Sequence, residues 1–356
     1  MNKTAVCIKV PKKQSEEVLA FANDLGVFDK SLLIQRDQES ICIPLTRQLE
    51  GNELAILKTR VPEYRLETLI FVQKMSTAGT VMQALEGKMP SHLLTSLPQA
   101  LDVVGDIAIV EIPPDLKSYQ NLIGESILKI HKNVKTVLAK AGSISGVFRL
   151  REFTFIAGEK KTQTIHREFG CQFHVDVAKA YFSPRLSHEH MRVASLVQAG
   201  ETVVDLFAGV GPFSVLISKR QLSVRVYAVD INPEALELLK ANVRVNRVEN
   251  RVFPILADAR QITSKELSGL SDRVIMNLPE TSIGFVDAAC RAIKLGGGII
   301  HFYAFVRSPD SIEKQEKRFF EAVEKAGRKC EQILCAKNVR ETAPFEFQVV
   351  LDAKIA

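Results

Sequence analysis

At 356 residues the chain is about 2.4 times a typical domain of roughly 150 residues, so two or three domains are expected. Hydrophobic residues make up 46% and charged residues 25%, which excludes global disorder, and no apolar run approaches the roughly 20 residues needed to span a bilayer. The six cysteines are scattered without a C-x-x-C pair, and the first residues lack the apolar stretch of a secretion signal, so a cytoplasmic protein with reduced thiols and no metal site is expected.

The net charge of 47 − 41 = +6 is unevenly spread. Residues 1–70 carry ten basic and ten acidic side chains, whereas residues 129–185 carry eleven basic against four acidic. A localised basic zone is the footprint of a polyanionic partner, or else a solvated face with no ligand.

In chain order, residues 1–70 read as a small α+β domain, with strands in VCIKV and ESICIPL and a helix in SEEVLAFANDL. Residues 71–100, with Pro90 and Pro98, read as a linker with some helix. From 101 to 190 strand-like runs recur (LDVVGDIAIVEI, GVFRLREFTFIAG, TQTIHREFG, CQFHVDVAKAYF) around a stretch of helical spacing, GESILKIHKNVKTVLAKAG, which predicts a second α+β domain carrying the basic zone. From 191 to 356 strands and helices alternate, predicting a doubly wound, mostly parallel α/β sheet. Its last two strands, near 329–339 and 345–355, are joined too closely for a crossover and should form an antiparallel hairpin.

The most informative motif is TVVDLFAGVGPFS, residues 202–214: a strand carrying Asp205, a turn with Gly209 and Gly211, and a helix opening at Pro212. Asp230 lies 25 residues after Asp205 at the end of the next strand, where a carboxylate can accept both hydroxyls of a ribose. Asp258 ends the third strand, where a side chain can reach an adenine edge. A dinucleotide fingerprint needs a third glycine, but Ser214 stands there. An acid so near the turn suits a cationic amino group, which favours S-adenosyl-L-methionine over a dinucleotide or a merely structural glycine turn. The fourth strand ends Asn277-Leu278-Pro279, with Asn277 either meeting the acceptor of the transferred group or making an ordinary turn bond. In YFSPRLSHEHMRV, Ser183 and Pro184 look like a helix start, with Arg185 and Glu189 as i,i+4 neighbours. His188 and His190, two apart, cannot share a metal from one helix.

These segments together are recognisable. DLFAGVGPFS, VDINPEALELLKANVRVN, VIMNLP and above all FSPRLSHEH resemble the archaeal and eukaryotic type of tRNA (guanine-37-N1)-methyltransferase. FRLREF, IAGEKKTQTIHREFG and VDVAKAYF extend the resemblance over about residues 100–356, and the first block has the size and place of that family's small first domain. The resemblance implies a Rossmann-like methyltransferase fold and methyl transfer to N1 of guanosine 37 of tRNA. Glu189 then matches the general base, Arg149 the arginine hydrogen-bonding guanine O6, and Asn277 the residue orienting the base. Asp230, Ile231, Asp258, Ala259 and His190 match cofactor contacts, and Tyr181 falls in a matching aromatic position that core packing explains as well.

N1 is an edge atom, so the target base must leave its stack. Lys160, Lys161, His166, Arg167 and Arg185 are the candidates for phosphate contacts, and the neutral first domain is expected to recognise tRNA shape. The implied partner is a tRNA bearing guanosine at position 37, with neither DNA nor membrane, and the protein is expected to be a monomer. The rival readings are an aminocarboxypropyl transferase of the wybutosine pathway, a bifunctional enzyme that also methylates a tricyclic precursor, and a tRNA-binding protein with a relict cofactor fold. Glu189 beside FSPRL, together with NLP, favours methyl transfer.

Overall fold

The structure is a computed structural model, and it describes residues 2–37, 39–72, 79–98, 100–142, 146 and 148–356. The chain divides into two compact units, Met1–Ala84 and Leu85–Ala356.

In the first unit β1 (Asn2–Pro11) lies between β3 (Ser40–Pro44) and β4 (Arg65–Val72), antiparallel to both, and β2 (Gln35–Arg36) extends the sheet at β3. Helix α1 (Ser15–Asp24) buries Val18, Phe21 and Ala22, whose i, i+3, i+4 spacing makes one apolar face. Helix α2 (Gly51–Arg60) starts on a capping box between Glu50 and Glu53 and buries Leu57. These faces close a core with Ile8, Val10 and Ile43.

A short helix, α3 (Val81–Leu85), ends at the boundary between the units, and the first helix wholly within the second is α4 (Ser91–Leu94). Strands β5 (Leu101–Val104) and β6 (Ile107–Val110) form a hairpin around Gly105-Asp106. Helix α5 (Gln120–Ile130) crosses over to β7 (Thr136–Lys140), which runs parallel to β6 and pairs with β8 (Phe153–Gly158). Here the structure corrects the single helical stretch expected from 124 to 142. Residues Thr136–Ala139 are all buried, which one face of a helix cannot achieve, and their pairing with β6 and β8 makes them a strand. A short apolar run does not separate the two possibilities by periodicity. Strands β9 (Gln163–Glu168) and β10 (Cys171–Asp176) form a second hairpin turning at Phe169-Gly170, both with positive φ, as a tight hairpin turn requires.

Then follow α6 (Ser187–Leu196), β11 (Thr202–Asp205), α7 (Pro212–Arg220), β12 (Arg225–Asp230), α8 (Pro233–Val245), β13 (Val252–Leu256), α9 (Ala259–Thr263), β14 (Arg273–Met276), α10 (Val286–Ala292), β15 (Gly298–Arg307), α11 (Ile312–Lys325), β16 (Cys330–Ala343) and β17 (Glu346–Ile355). They build a seven-stranded sheet of order β13-β12-β11-β14-β15-β17-β16. The first five of these strands are parallel, and β17 is antiparallel to both β15 and β16, as the short final link predicts.

On the central strand Val203 packs into one core and Val204 into the other, as expected for a sheet covered on both faces. The first of these cores also takes Val104, Ile107, Phe173 and Val175 from the basic block. Two buried asparagines reinforce that join. Asn242 on α8 and Asn246, its C-terminal cap one turn later, donate to and accept from the backbone of β10 at His174 and Gln172, with distances of 2.6–3.1 Å. They thus satisfy an edge that would otherwise be left with unpaired polar groups.

Gly158 ends β8 at φ +87, and a Cβ there would stand 2.0 Å from the Lys135 carbonyl oxygen. Gly158→Ala should therefore cost about 2–3 kcal/mol of stability, read as a lowered denaturation midpoint; an unchanged midpoint would contradict this packing.

Candidate active site

Because β11, β12, β13 and β14 are parallel, their carboxyl ends share one edge. After β11 the chain turns through Gly209 (φ +56) and Gly211 (φ +87), the latter capping α7 with Pro212 as its first residue. Gly211 is required by packing as well, since a Cβ would lie 2.2 Å from the Leu239 side chain. Asp230, at the end of β12, ties this turn down: one carboxylate oxygen accepts the Gly209 N–H at 2.6 Å and the other the Asn232 N–H at 2.9 Å. Asp258 caps α9, accepting the N–H groups of Arg260 and Gln261 at 2.9 and 3.1 Å.

These ends open onto a cleft. Gly209, Asp230, Ile231, Asp258 and Ala259 line one side, and Phe207 with Phe285, their rings 5.1 Å apart, adds an apolar wall. Arg149, Tyr181, His190 and Asn277 also line it. Arg149 takes a positive φ of 54°; its guanidinium stands 5.2 Å from the Tyr181 ring centroid and bonds Glu280 at 3.0 Å. His190 is held by buried Glu168 at 2.8 Å, and the same carboxylate pairs with His166 at 3.4 Å. Burial alone would raise the Glu168 carboxyl, but the hydrogen bonds of His166 and His190 outweigh it and lower it.

Asp205 and Gly211 lie behind the cleft wall rather than in it. Asp205 is fully buried; one oxygen accepts the Ser214 hydroxyl at 2.8 Å, while the other has no partner. Burial, helped by the charge of Asp230, pushes its carboxyl up to about 7. Burial likewise raises Asp230.

Glu189 is also absent from the cleft lining and is 4% exposed. Arg192 grips its two oxygens at 2.6–3.0 Å, the Tyr303 hydroxyl donates to it at 2.7 Å, and Lys337 stands 3.5 Å away. Burial acts to raise Glu189, and these donors more than reverse it, so the carboxyl sits below its usual range. The anticipated Arg185–Glu189 pair does not form. Pro184–Leu186 is a 3-10 turn, which sends Arg185 outward to Asp102 at 2.5 Å. Ser183 makes no cap bond with its side chain, and its hydroxyl instead accepts from Arg340.

The candidate phosphate contacts fall into two sets. Lys160 and Arg167 are exposed. Lys161 is engaged by Asp106 and Glu159 at 2.7 and 2.9 Å, Arg185 by Asp102, and His166 is turned inward, accepting the Gly105 N–H at 3.1 Å. No metal-binding cluster is found among the described residues, and no helix among them is long and apolar enough to cross a membrane. Sequence reasoning missed Arg192, Tyr303, Arg340 and Gln348. They lie in ordinary helix and strand patterns, and only the fold brings them to the site.

Comparison with known proteins decides which family this cleft serves. The TRM5/TYW2 methyltransferase domain matches residues 164–333, the TYW2 N-terminal domain residues 81–162, and the tRNA methyltransferase 5 N-terminal domain residues 7–53. The tRNA (guanine(37)-N(1))-methyltransferase Trm5b of Pyrococcus abyssi is 39% identical over 351 residues, 99% of both chains. The chain belongs to the archaeal and eukaryotic-type tRNA (guanine-37-N1)-methyltransferase family. Among solved structures, a complex of aTrm5 with tRNALeu is similar at TM-score 0.82 and 33% identity, covering 99% of this chain and 100% of that one. The TYW2 of M. jannaschii in complex with AdoMet is similar at TM-score 0.56 and 29% identity, covering 72% of this chain and 99% of that one.

The family is S-adenosylmethionine-dependent, and the residues present fit that ligand. Asp230 offers carboxylate oxygens where a ribose would lie, the glycine turn leaves room at Gly209, and the unpartnered Asp205 oxygen is an uncompensated acceptor behind the turn. Since a cationic ligand favours ionised Asp205, binding should tighten as pH rises from about 5.5 to 7, below the range in which the ligand's own amino group loses its proton. Calorimetry should find this slope in the native protein and a flat profile in Asp205→Asn; equal slopes would remove Asp205 from cofactor electrostatics.

Proposed function

We propose that this protein transfers a methyl group from S-adenosylmethionine to N1 of guanosine 37 of tRNA. The observation that carries the reading is the meeting of Arg149 and Asn277 with the glycine turn and Asp230 around one cleft, in a chain matched end to end by a relative of that activity. The match also includes residues 7–53, whereas the TYW2 structure covers 72% of this chain; both facts support methyl transfer over aminocarboxypropyl transfer.

The cofactor supplies an electrophilic methyl group on a sulfonium. The chain's own residues do the rest. Guanine N1 carries a proton, and as it is lost negative charge builds on O6, which cationic or N–H donors from Arg149 and Asn277 stabilise. Asp230, Ile231, Asp258, Ala259 and His190 hold the nucleoside end of the cofactor, on backbone fixed by Gly209 and Gly211. Glu189 takes the N1 proton. To do so it must exchange the Arg192 and Tyr303 bonds for the substrate, because as it stands it lies behind the cleft. Lys160 and Arg167, both exposed, are the phosphate contacts of this reading, joined by Lys161, Arg185 and His166 where tRNA displaces their present partners.

The deciding assay offers the protein labelled cofactor with a tRNA transcript bearing guanosine 37 or adenosine 37, and identifies the product nucleoside by mass spectrometry. N1-methylguanosine from the first transcript only is expected; an aminocarboxypropyl product would establish the rival chemistry. Glu189→Gln should keep tRNA affinity and lower single-turnover transfer by about 10²–10⁴-fold. An unchanged rate at saturating tRNA would take Glu189 out of the base role. Removing residues 1–84, a compact unit by itself, should weaken tRNA selection and leave cofactor affinity within about twofold. Undiminished discrimination between folded and misfolded tRNA would refute the recognition role of that unit.

A further inference from the structure

Behind Asn277 lies a chain of polar side chains whose direction is fixed at one end. Arg340 on β16 and Gln348 on β17 are register partners in the C-terminal hairpin. The Arg340 Nε–H donates to Gln348 Oε1 at 2.8 Å, and Gln348 Nε2 donates to Asn277 Oδ1 at 3.1 Å. A guanidinium has five N–H donors and no acceptor, so only the carbonyl end of Gln348 can face it. That settles the orientation of the Gln348 amide, which hydrogen-bond networks alone decide. The amide end then faces Asn277, and the Asn277 oxygen is taken. Its Nδ2, with no protein partner among the described residues, is the end left for the cleft that Asn277 lines. Arg340 also donates to the Tyr181 hydroxyl at 2.9 Å and to Ser183 Oγ at 2.5 Å, so one cation holds two residues of the cleft wall directly and a third, Asn277, through Gln348.

We propose that Arg340 and Gln348 are positioning residues that set Asn277 as a hydrogen-bond donor toward guanine O6. The inference rests on the methyl-transfer reading. As N1 gives its proton to the base, negative charge spreads onto O6, where a donor stabilises it and an acceptor would oppose it. N1 would then bond the methyl carbon as the carbon–sulfur bond breaks and the cofactor leaves as a neutral thioether. Adenine carries an amino donor at the corresponding position, so a fixed donor there also selects guanosine against adenosine.

Two substitutions at the buried Gln348 separate this role from simple packing. In Gln348→Glu the carboxylate keeps Arg340 as partner but can only accept, so Asn277 must turn its amide inward and present its oxygen to the cleft. In Gln348→Met the shape is kept, both bonds are lost, and Asn277 is free to rotate. Both variants should bind S-adenosylmethionine within about twofold of the native protein, while single-turnover methyl transfer to guanosine-37 tRNA falls about 30-fold or more for Glu and only about 5-fold for Met. The preference for guanosine over adenosine at position 37 should narrow furthest in Gln348→Glu. A structural role gives the opposite order, because Glu retains the Arg340 contact and Met does not. Gln348→Glu as active as Gln348→Met, or more so, overturns the inference. If the Glu variant does not bind cofactor, Arg340→Met, which frees Gln348 to turn over, carries the test: a roughly 5–10-fold loss with unchanged cofactor affinity supports the relay, and a native rate overturns it. A native enzyme that makes no N1-methylguanosine overturns the methyl-transfer reading and this inference with it, whereas an active native enzyme with indistinguishable variants overturns the relay alone.

Discussion

The parallel pairing of β11 with β12 and β14 is the constraint on which the site depends. Parallel strands point the same way, so every strand-to-helix turn that leaves their carboxyl ends arrives at one edge. The glycine turn, Asp230, Asp258 and Asn277 therefore line up without any side chain having to reach far. Asp230 then locks the arrangement by accepting the Gly209 N–H, joining two neighbouring turns through one carboxylate. The burial that makes this bond strong also raises the Asp230 and Asp205 carboxyls, so a cation arriving at this edge would draw them toward their ionised forms.

The antiparallel hairpin at the other side of the sheet contributes something different. Its strands carry Arg340 and Gln348 to Asn277, while Asp352 on β17 helps to anchor Arg192. From there a line of buried polar groups continues through His301 to Arg273 and Glu201. Breaking such a network at one member leaves an uncompensated charge in the interior, whereas the intact network sets geometry more than it adds stability. Glu189 stands at the other end of this network, behind the cleft, which explains a carboxylate that is buried, ionised and held in one place.

The basic block and the large sheet share one core, joined by Asn242 of α8 and Asn246 at its C-terminal cap. Their amides imitate a neighbouring strand for β10, so the hairpin that carries His166 and Arg167 is oriented by the same helix whose N-terminal end flanks Asp230. That hairpin and the turn after β12 are thus referenced to a common element.

Local chemistry was enough for much of this in the sequence alone. Glycine with positive φ, proline at a first helical position, alternating apolar runs and a final link too short for a crossover are constraints within a few residues of each other, so the glycine turn, helix α1 and the closing hairpin were legible. The contiguous motifs FSPRLSHEH and NLP carried the family resemblance for the same reason. What tertiary structure alone decided are contacts between residues far apart in the chain. Thr136–Lys140 became a strand because β6 and β8 flank it, not because of its own spacing. Arg185 and Glu189 are neighbours in the chain, yet a 3-10 turn and the pull of Asp102 and Arg192 send them to different partners. The orientation of the Asn277 amide depends on an arginine 63 residues further on. A hydrogen bond depends on where two groups lie in space, and separation along the chain does not encode that until the sheet has closed.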